Sequence, residues 1–165
     1  MTRRLIVMRH AKSDWANANL SDHDRPLNER GVRTAPLMGK HLAENHVIPK
    51  VVIASTAVRV RETLAFMLAE WPREPEVFFE QSLYLASVET LRSHIRGLHN
   101  DWHEVLMVGH NPGLAEFVSR LAGQPLEMPT AAVAVFASDE KSWSDALAAK
   151  NWALAAHWLP RDLFS

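Results

Sequence analysis

Leu5-Ile6-Val7-Met8-Arg9-His10-Ala11 is a short apolar run that ends on an arginine and a histidine, and Val105-Leu106-Met107-Val108-Gly109-His110 repeats the plan far downstream. Runs of this length and composition read as strands buried on both faces, the kind found in a parallel sheet covered by helices. Each run delivers a histidine at its C-terminal end. In an open α/β sheet that edge is where ligands bind. The pair therefore predicts a three-layer α/β/α fold around a central, mostly parallel sheet, with His10 and His110 meeting at one edge.

The rest of the chain alternates strand and helix patterns, as that fold requires. Residues 11–25 are polar and irregular and read as a loop over the site. A helix is predicted from Asn28 to about Asn45, with Val32, Ala35, Met38 and Leu42 on its buried face and Pro36 as a kink or a broken first turn. Val51-Val52-Ile53-Ala54 reads as a buried strand, followed by a helix from about Ala57 to Glu70 capped by Ser55 or Thr56. Glu76–Phe79 reads as a short strand and Ser87 to about Leu98 as a helix capped by Ser87. After the Glu104–Val108 strand, Asn111-Pro112-Gly113 turns into a helix ending near Leu121, with the proline suited to its first turn. Ala131–Ala137 and Trp152–Trp158 read as the last strands, and Lys141–Lys150 as a loop or short helix. The pattern needs one domain over residues 1–165.

Composition narrows the function classes. The apolar fraction is 47% and the charged fraction 22%, which are ordinary for a soluble globular protein. Lysine and arginine number 18 against 19 acids, so bulk charge calls for neither nucleic acid nor an anionic membrane. There is no cysteine, which removes disulfides, thiolate nucleophiles and cysteine-ligated metals. The N-terminal apolar run is too short for a signal peptide and no run is long enough for a membrane span. A cytoplasmic protein is expected.

The residues at the predicted edge suit phosphoryl transfer. A phosphoryl group in transfer spreads charge over three oxygens, and fixed positive charge stabilises it. Arginine supplies paired donors and stays protonated. A neutral imidazole can attack phosphorus and hold the group covalently. The candidates are Arg9 and His10, His110, and Arg59 at the start of the second helix, whose free N–H groups point to the same edge. Arg59 and Arg61 lie two positions apart and face different sides of that helix, so only one enters the site. The histidines have no metal-ligand spacing, and neither metal nor cofactor is expected.

Arg9-His10, the Ser55–Thr63 segment with its Arg59, and Gly109-His110, in that order, resemble the histidine phosphatase superfamily, which includes the cofactor-dependent phosphoglycerate mutases. Arg9-His10-Ala11-Lys12-Ser13, Asp24-Arg25-Pro26-Leu27-Asn28-Glu29-Arg30-Gly31 and Gly109-His110-Asn111-Pro112 are most similar to its small SixA-type phosphohistidine phosphatases. The resemblance spans nearly the whole chain and implies a phosphoglycerate mutase-like fold. It implies His10 as nucleophile, with Arg9, Arg59 and His110 binding the phosphoryl oxygens. Ala11 stands where many members have glycine. Arg25 belongs to the SixA-like pattern, as a phosphate ligand or as a loop-ordering ion pair. Ser13 and Lys12 lie beside the phosphate or serve the loop. The wider superfamily places a carboxylate after the third strand as general acid, and Glu80 is the candidate.

The implied activity is a metal-independent phosphatase acting on a phosphohistidine-bearing protein. The alternatives are a phosphatase of small phosphate esters or sugar phosphates, and a non-catalytic phosphate-binding domain. His23, His41, His46, His94, His99, His103 and His157 have no motif around them and read as surface or helix-end residues.

Overall fold

In the computed structural model, residues 1–149 and 152–164 are described. Strands Arg3–Arg9 (β1), Val51–Ser55 (β2), Glu76–Glu80 (β3), Glu104–Gly109 (β4), Val133–Ser138 (β5) and Ala153–Trp158 (β6) form one sheet in the order β3-β2-β4-β1-β5-β6. The first four strands are mutually parallel, while β5 pairs antiparallel with both β1 and β6. The helices are Glu29–Glu44 (α1), Val58–Leu68 (α2), Val88–Arg96 (α3), Gly113–Ala122 (α4), Trp143–Ala149 (α5) and Pro160–Leu163 (α6). Single 3-10 turns occur at Asp22–Asp24 and Gln81–Leu83. This is the α/β architecture with a mostly parallel central sheet that the strand pattern predicts.

The layering follows from the two-residue period of a strand. Leu5, Val7, Val105 and Met107 point to one face and pack with Leu91, Ile95, Leu114, Phe117 and Trp143 of α3, α4 and α5. Ile6, Met8, Leu106 and Val108 point to the other and pack with Met38, Leu42, Leu64 and Met67 of α1 and α2. Both faces are covered, so the central strands carry no polar alternation.

Several local expectations change. Asn28 caps α1, accepting from Gly31 N–H at 2.9 Å. The helix then runs through Pro36, whose missing donor costs one bond without ending it. Val32, expected in the core, is exposed; the buried face is Gly31, Ala35, Met38, Gly39 and Leu42. Neither Ser55 nor Thr56 is the residue that starts α2. Ser55 ends β2, and Ala57 occupies the cap position with no side-chain cap. Within the predicted 141–150 stretch Trp143–Ala149 is helical, and Lys150 lies outside the described residues. The short C-terminal α6 has no sequence expectation behind it.

Register places the two histidines. Along the β1–β4 pair, Arg9 is opposite Gly109. The next residue on each strand is a histidine, and His10 N–H donates to Gly109 carbonyl at 3.3 Å. On the far side of β4, Ala54 pairs with Val108, which brings Ser55 level with the same edge.

Candidate active site

His10 and His110 stand side by side at the C-terminal edge of the parallel strands, ring centroids 5.2 Å apart, both buried. The first turn of α2 lays Arg59 between them. Its Nε donates to His10 Nε2 and its Nη2 to His110 Nδ1, each at 3.3 Å. Thr63, one turn on, donates to Arg59 carbonyl at 2.7 Å and accepts from Ala11 N–H at 3.0 Å, so α2 and the residue after His10 are pinned together.

These contacts fix both tautomers. A carbonyl only accepts, so His10 Nδ1–H donates to Ala11 carbonyl at 2.7 Å. His10 Nε2 therefore carries no proton, and its lone pair accepts from Arg59 Nε–H. Arg59 only donates, so His110 Nδ1 accepts, and His110 Nε2–H donates to Ser55 Oγ at 2.7 Å. Burial, reinforced by nearby Arg59 and Arg9, pushes the His10 pKa down to about 4. Burial, then the charges of His10 and Arg59, push His110 down to about 3. Both rings are neutral at pH 7, which leaves His10 nucleophilic. His110 Nδ1 donates to an anion only when its ring gains a second proton, so anion binding and protonation are coupled there.

Arg9 ends β1 beside this pair. Its Nη1 donates to Met128 carbonyl at 3.4 Å, and its Nε is buried without a hydrogen-bond partner. Burial and then the charge of Arg59 lower its pKa from the ordinary arginine value. A guanidinium in that position has donors to give an anion.

Asp22, in the 3-10 turn of the loop after β1, is the acidic residue in the cavity. Its Oδ2 accepts from Arg59 Nη2 at 3.0 Å and from the Tyr84 hydroxyl. Its backbone carbonyl accepts from Arg59 Nη1 at 2.7 Å. Burial raises its pKa, but the hydrogen bonds from Tyr84 and Arg59 outweigh this and hold it below the usual carboxylate range. The Tyr84 hydroxyl is raised, by burial and by the same Asp22 bond.

The cavity measures about 220 Å³ and is lined by Arg9, His10, Lys12, Ser13, Asp22, Arg59, His110 and Asn111, with Trp15 and Leu85 among the others. A larger depression of about 460 Å³ lies around Arg4, Asp101 and Trp102, near the opposite, N-terminal ends of β1 and β4, away from the histidine pair. Among the described residues no group of three or more histidines and acids is placed to hold a metal ion. The positive charge lining the cavity comes from Arg9, Arg59 and Lys12.

Of the candidates, Arg9, His10, Ser13, Arg59 and His110 converge on the cavity. Ser13 is buried and its Oγ accepts from Trp15 Nε1 at 3.0 Å. Two candidates do not converge. Glu80 shares the pleat of Phe78 and lines a separate depression beside Ser93 and His94 of α3. Arg25 lies outside the lining and stacks on the Trp15 ring, its guanidinium carbon 4.1 Å from the centroid. Arg61 is exposed and stacks on Phe79 at 4.1 Å. Asp22 and Tyr84 have no place in the sequence motifs, and Ser55, which opens the Ser55–Thr63 segment, reads there as a helix cap and not as the partner of His110. Asp22 sits in a polar loop beside Asp14 and Asp24 with nothing in the sequence to single it out, and its partner Tyr84 arrives from beyond β3. His23, expected on the surface, is half-buried and bonded to Thr56 Oγ1 at 2.8 Å.

The sequence profile of the Histidine phosphatase superfamily (branch 1) matches residues 5–81. An uncharacterised chloroplastic protein of Arabidopsis thaliana is 32% identical over 157 residues, covering 90% of this chain and 72% of its own length. The chain belongs to the histidine phosphatase superfamily. Two solved structures place it more finely. A provisionally assigned phosphohistidine phosphatase SixA from Nakamurella multipartitia superposes with TM-score 0.84 at 28% identity, covering 97% of both chains. A similarly assigned protein from Agrobacterium tumefaciens gives 0.83 at 27% identity, covering 96% of this chain and 98% of its own. The fold is thus shared with these SixA-type structures, and the superfamily supports a phosphatase.

Proposed function

We propose that this protein is a metal-independent phosphatase that works through a phosphohistidine at His10 and prefers protein-borne phosphohistidine as substrate. The observation that carries the covalent route is the tautomer of His10. With Nδ1–H held by Ala11 carbonyl, Nε2 is unprotonated, and its lone pair reaches phosphorus as Arg59 Nε–H turns from it to a phosphoryl oxygen. Nε2 forms the N–P bond while the bond to the leaving group breaks, and Ala11 carbonyl stabilises the positive charge that develops on the ring. Arg9 and Arg59 neutralise the equatorial oxygens, and a protonated His110 donates to one of them. Water then attacks phosphorus from the side the leaving group vacated. The N–P bond breaks as the O–P bond forms, and the water's proton passes by way of Asp22 to solvent, which regenerates neutral His10 and ionised Asp22 and frees phosphate.

Two features support the substrate preference. The cavity carboxylate is held ionised, which makes it a poor acid for a departing alkoxide. An alkoxide must take a proton on the oxygen whose bond breaks. A phosphorylated imidazole takes its proton on the ring nitrogen remote from phosphorus, outside the cavity, and leaves neutral. The cavity of about 220 Å³ is also smaller than the clefts of ~300–1,000 Å³ that enclose small-molecule ligands, so most of the phosphate carrier stays outside. The two SixA-type neighbours are provisionally assigned to the same substrate class.

The test is a substrate panel in excess chelator. A phosphohistidine-bearing protein should be turned over at least about tenfold more efficiently than methyl phosphate or a sugar phosphate, on the leaving-group argument. Vanadate should inhibit. Activity that vanishes in chelator and returns with a divalent ion refutes metal independence, and a preference for esters refutes the substrate class.

A further inference from the structure

Trp15 and Leu85 stand at the mouth of the cavity, and neither is explained by phosphate binding. Both line it, yet they are 60% and 53% exposed. Large apolar side chains grouped at a polar cavity mark a binding surface more often than scattered ones do. Each is held in place. Trp15 is bonded through Nε1 to the buried Ser13 and carries the Arg25 guanidinium on one face, at 4.1 Å. Leu85 sits at φ 49, in the left-handed region that a branched side chain rarely adopts. The following residue, Ala86, is wedged against the start of α4: a Cβ on Gly113 would lie 2.0 Å from Ala86 carbonyl oxygen. A strained residue that the surroundings over-determine is typical of a ligand-gripping position.

We propose that Trp15 and Leu85 form a subsite for a flat aromatic ring attached to the phosphorus through a single bond. The ring lies against the open indole face, where offset stacking is favourable, and Leu85 closes on it from the mouth. An imidazole bearing a phosphoryl group has this shape. The inference rests on the proposed function only in placing the phosphoryl group at His10.

Binding of non-hydrolysable phosphonates tests the subsite without turnover. By titration calorimetry, wild-type protein should bind phenylphosphonate about tenfold tighter than methylphosphonate, an increment in the range of one ring-stacking contact. Trp15→Ala and Leu85→Ala should each bring the two affinities within about twofold while leaving methylphosphonate affinity unchanged. Trp15→Phe should retain the preference. Leu85→Gly, which relieves the left-handed backbone, should lose it in a protein at least as stable as wild type. No ring preference in wild type, no measurable binding of phenylphosphonate, or an equal loss for both phosphonates would overturn the subsite. A wild type that prefers the ring but shows no phosphatase activity would reject the proposed function and leave the subsite standing.

Discussion

Arg59 is the residue through which the others are arranged. Its guanidinium touches both histidines and the Asp22 carboxylate, and every one of those contacts is a donated hydrogen bond. Arg59→Ala should raise the barrier by about 2–4 kcal/mol, the loss of one transition-state donor. Arg61→Ala should change kcat/KM little, since Arg61 donates to Thr56 carbonyl and lies on Phe79 outside the cavity. Steady-state kinetics of the two variants on one substrate decides; the reverse ranking refutes the assigned α2 register. The histidines give a pH signature. With His10 at about 4 and His110 at about 3, nitrogen-detected NMR should find both rings neutral from pH 8 to pH 5, protonated on Nδ1 in His10 and on Nε2 in His110. The unfolded chain titrates near the ordinary value, so it takes up protons first as pH falls. Stability present above about pH 6.5 is then lost as pH falls toward 4, by roughly 3 kcal/mol for His10 alone. A midpoint near 6.5 for either ring in the native protein contradicts this.

At the scale of elements, the loop after β1 is shaped by what lies beneath it. Asn28 N–H donates to Lys12 carbonyl at 3.0 Å, and a Cβ on Gly31 would lie 2.2 Å from that same oxygen. The obstacle is backbone, so Gly31→Ala must move the loop that carries Ser13, Trp15 and Asp22. It should cost about 1–3 kcal/mol in urea unfolding and lower kcat/KM by more than an equally destabilising core variant such as Leu42→Val. Unchanged kinetics in a destabilised protein would mean that the loop does not position the site. The same contrast explains what the sequence makes legible. Central strands between two helical layers must be apolar throughout, so β1, β2 and β4 are readable, and with them the histidines at their ends. Pro36 and Val32 mislead because tertiary packing holds α1 together across a missing hydrogen bond and turns Val32 to solvent. Glu80 misleads because strand position says nothing about which pleat faces the cavity. Asp22 is hidden because its role depends on Tyr84, reached only through the fold.

For the whole molecule, the parallel sheet acts as a ruler. One register, Arg9 opposite Gly109, sets His10 beside His110, and β2 on the other side of β4 brings Ser55 and α2 to the same edge. Two hydrophobic layers lock that register, because a one-residue slip would turn every core side chain of a strand to the wrong face. Among the described residues no helix is long and apolar enough to cross a membrane. The site is thus a product of the sheet edge, with the loop after β1 supplying the carboxylate and sharing the rim with Leu85. The central claim is that His10 carries the phosphoryl group between substrate and water. Quenching the protein during turnover of labelled phosphohistidine protein tests it most directly. A label on His10 that is lost in acid, survives base and is absent from His10→Ala is the predicted result; an acid-stable label, or one that persists in His10→Ala, contradicts it.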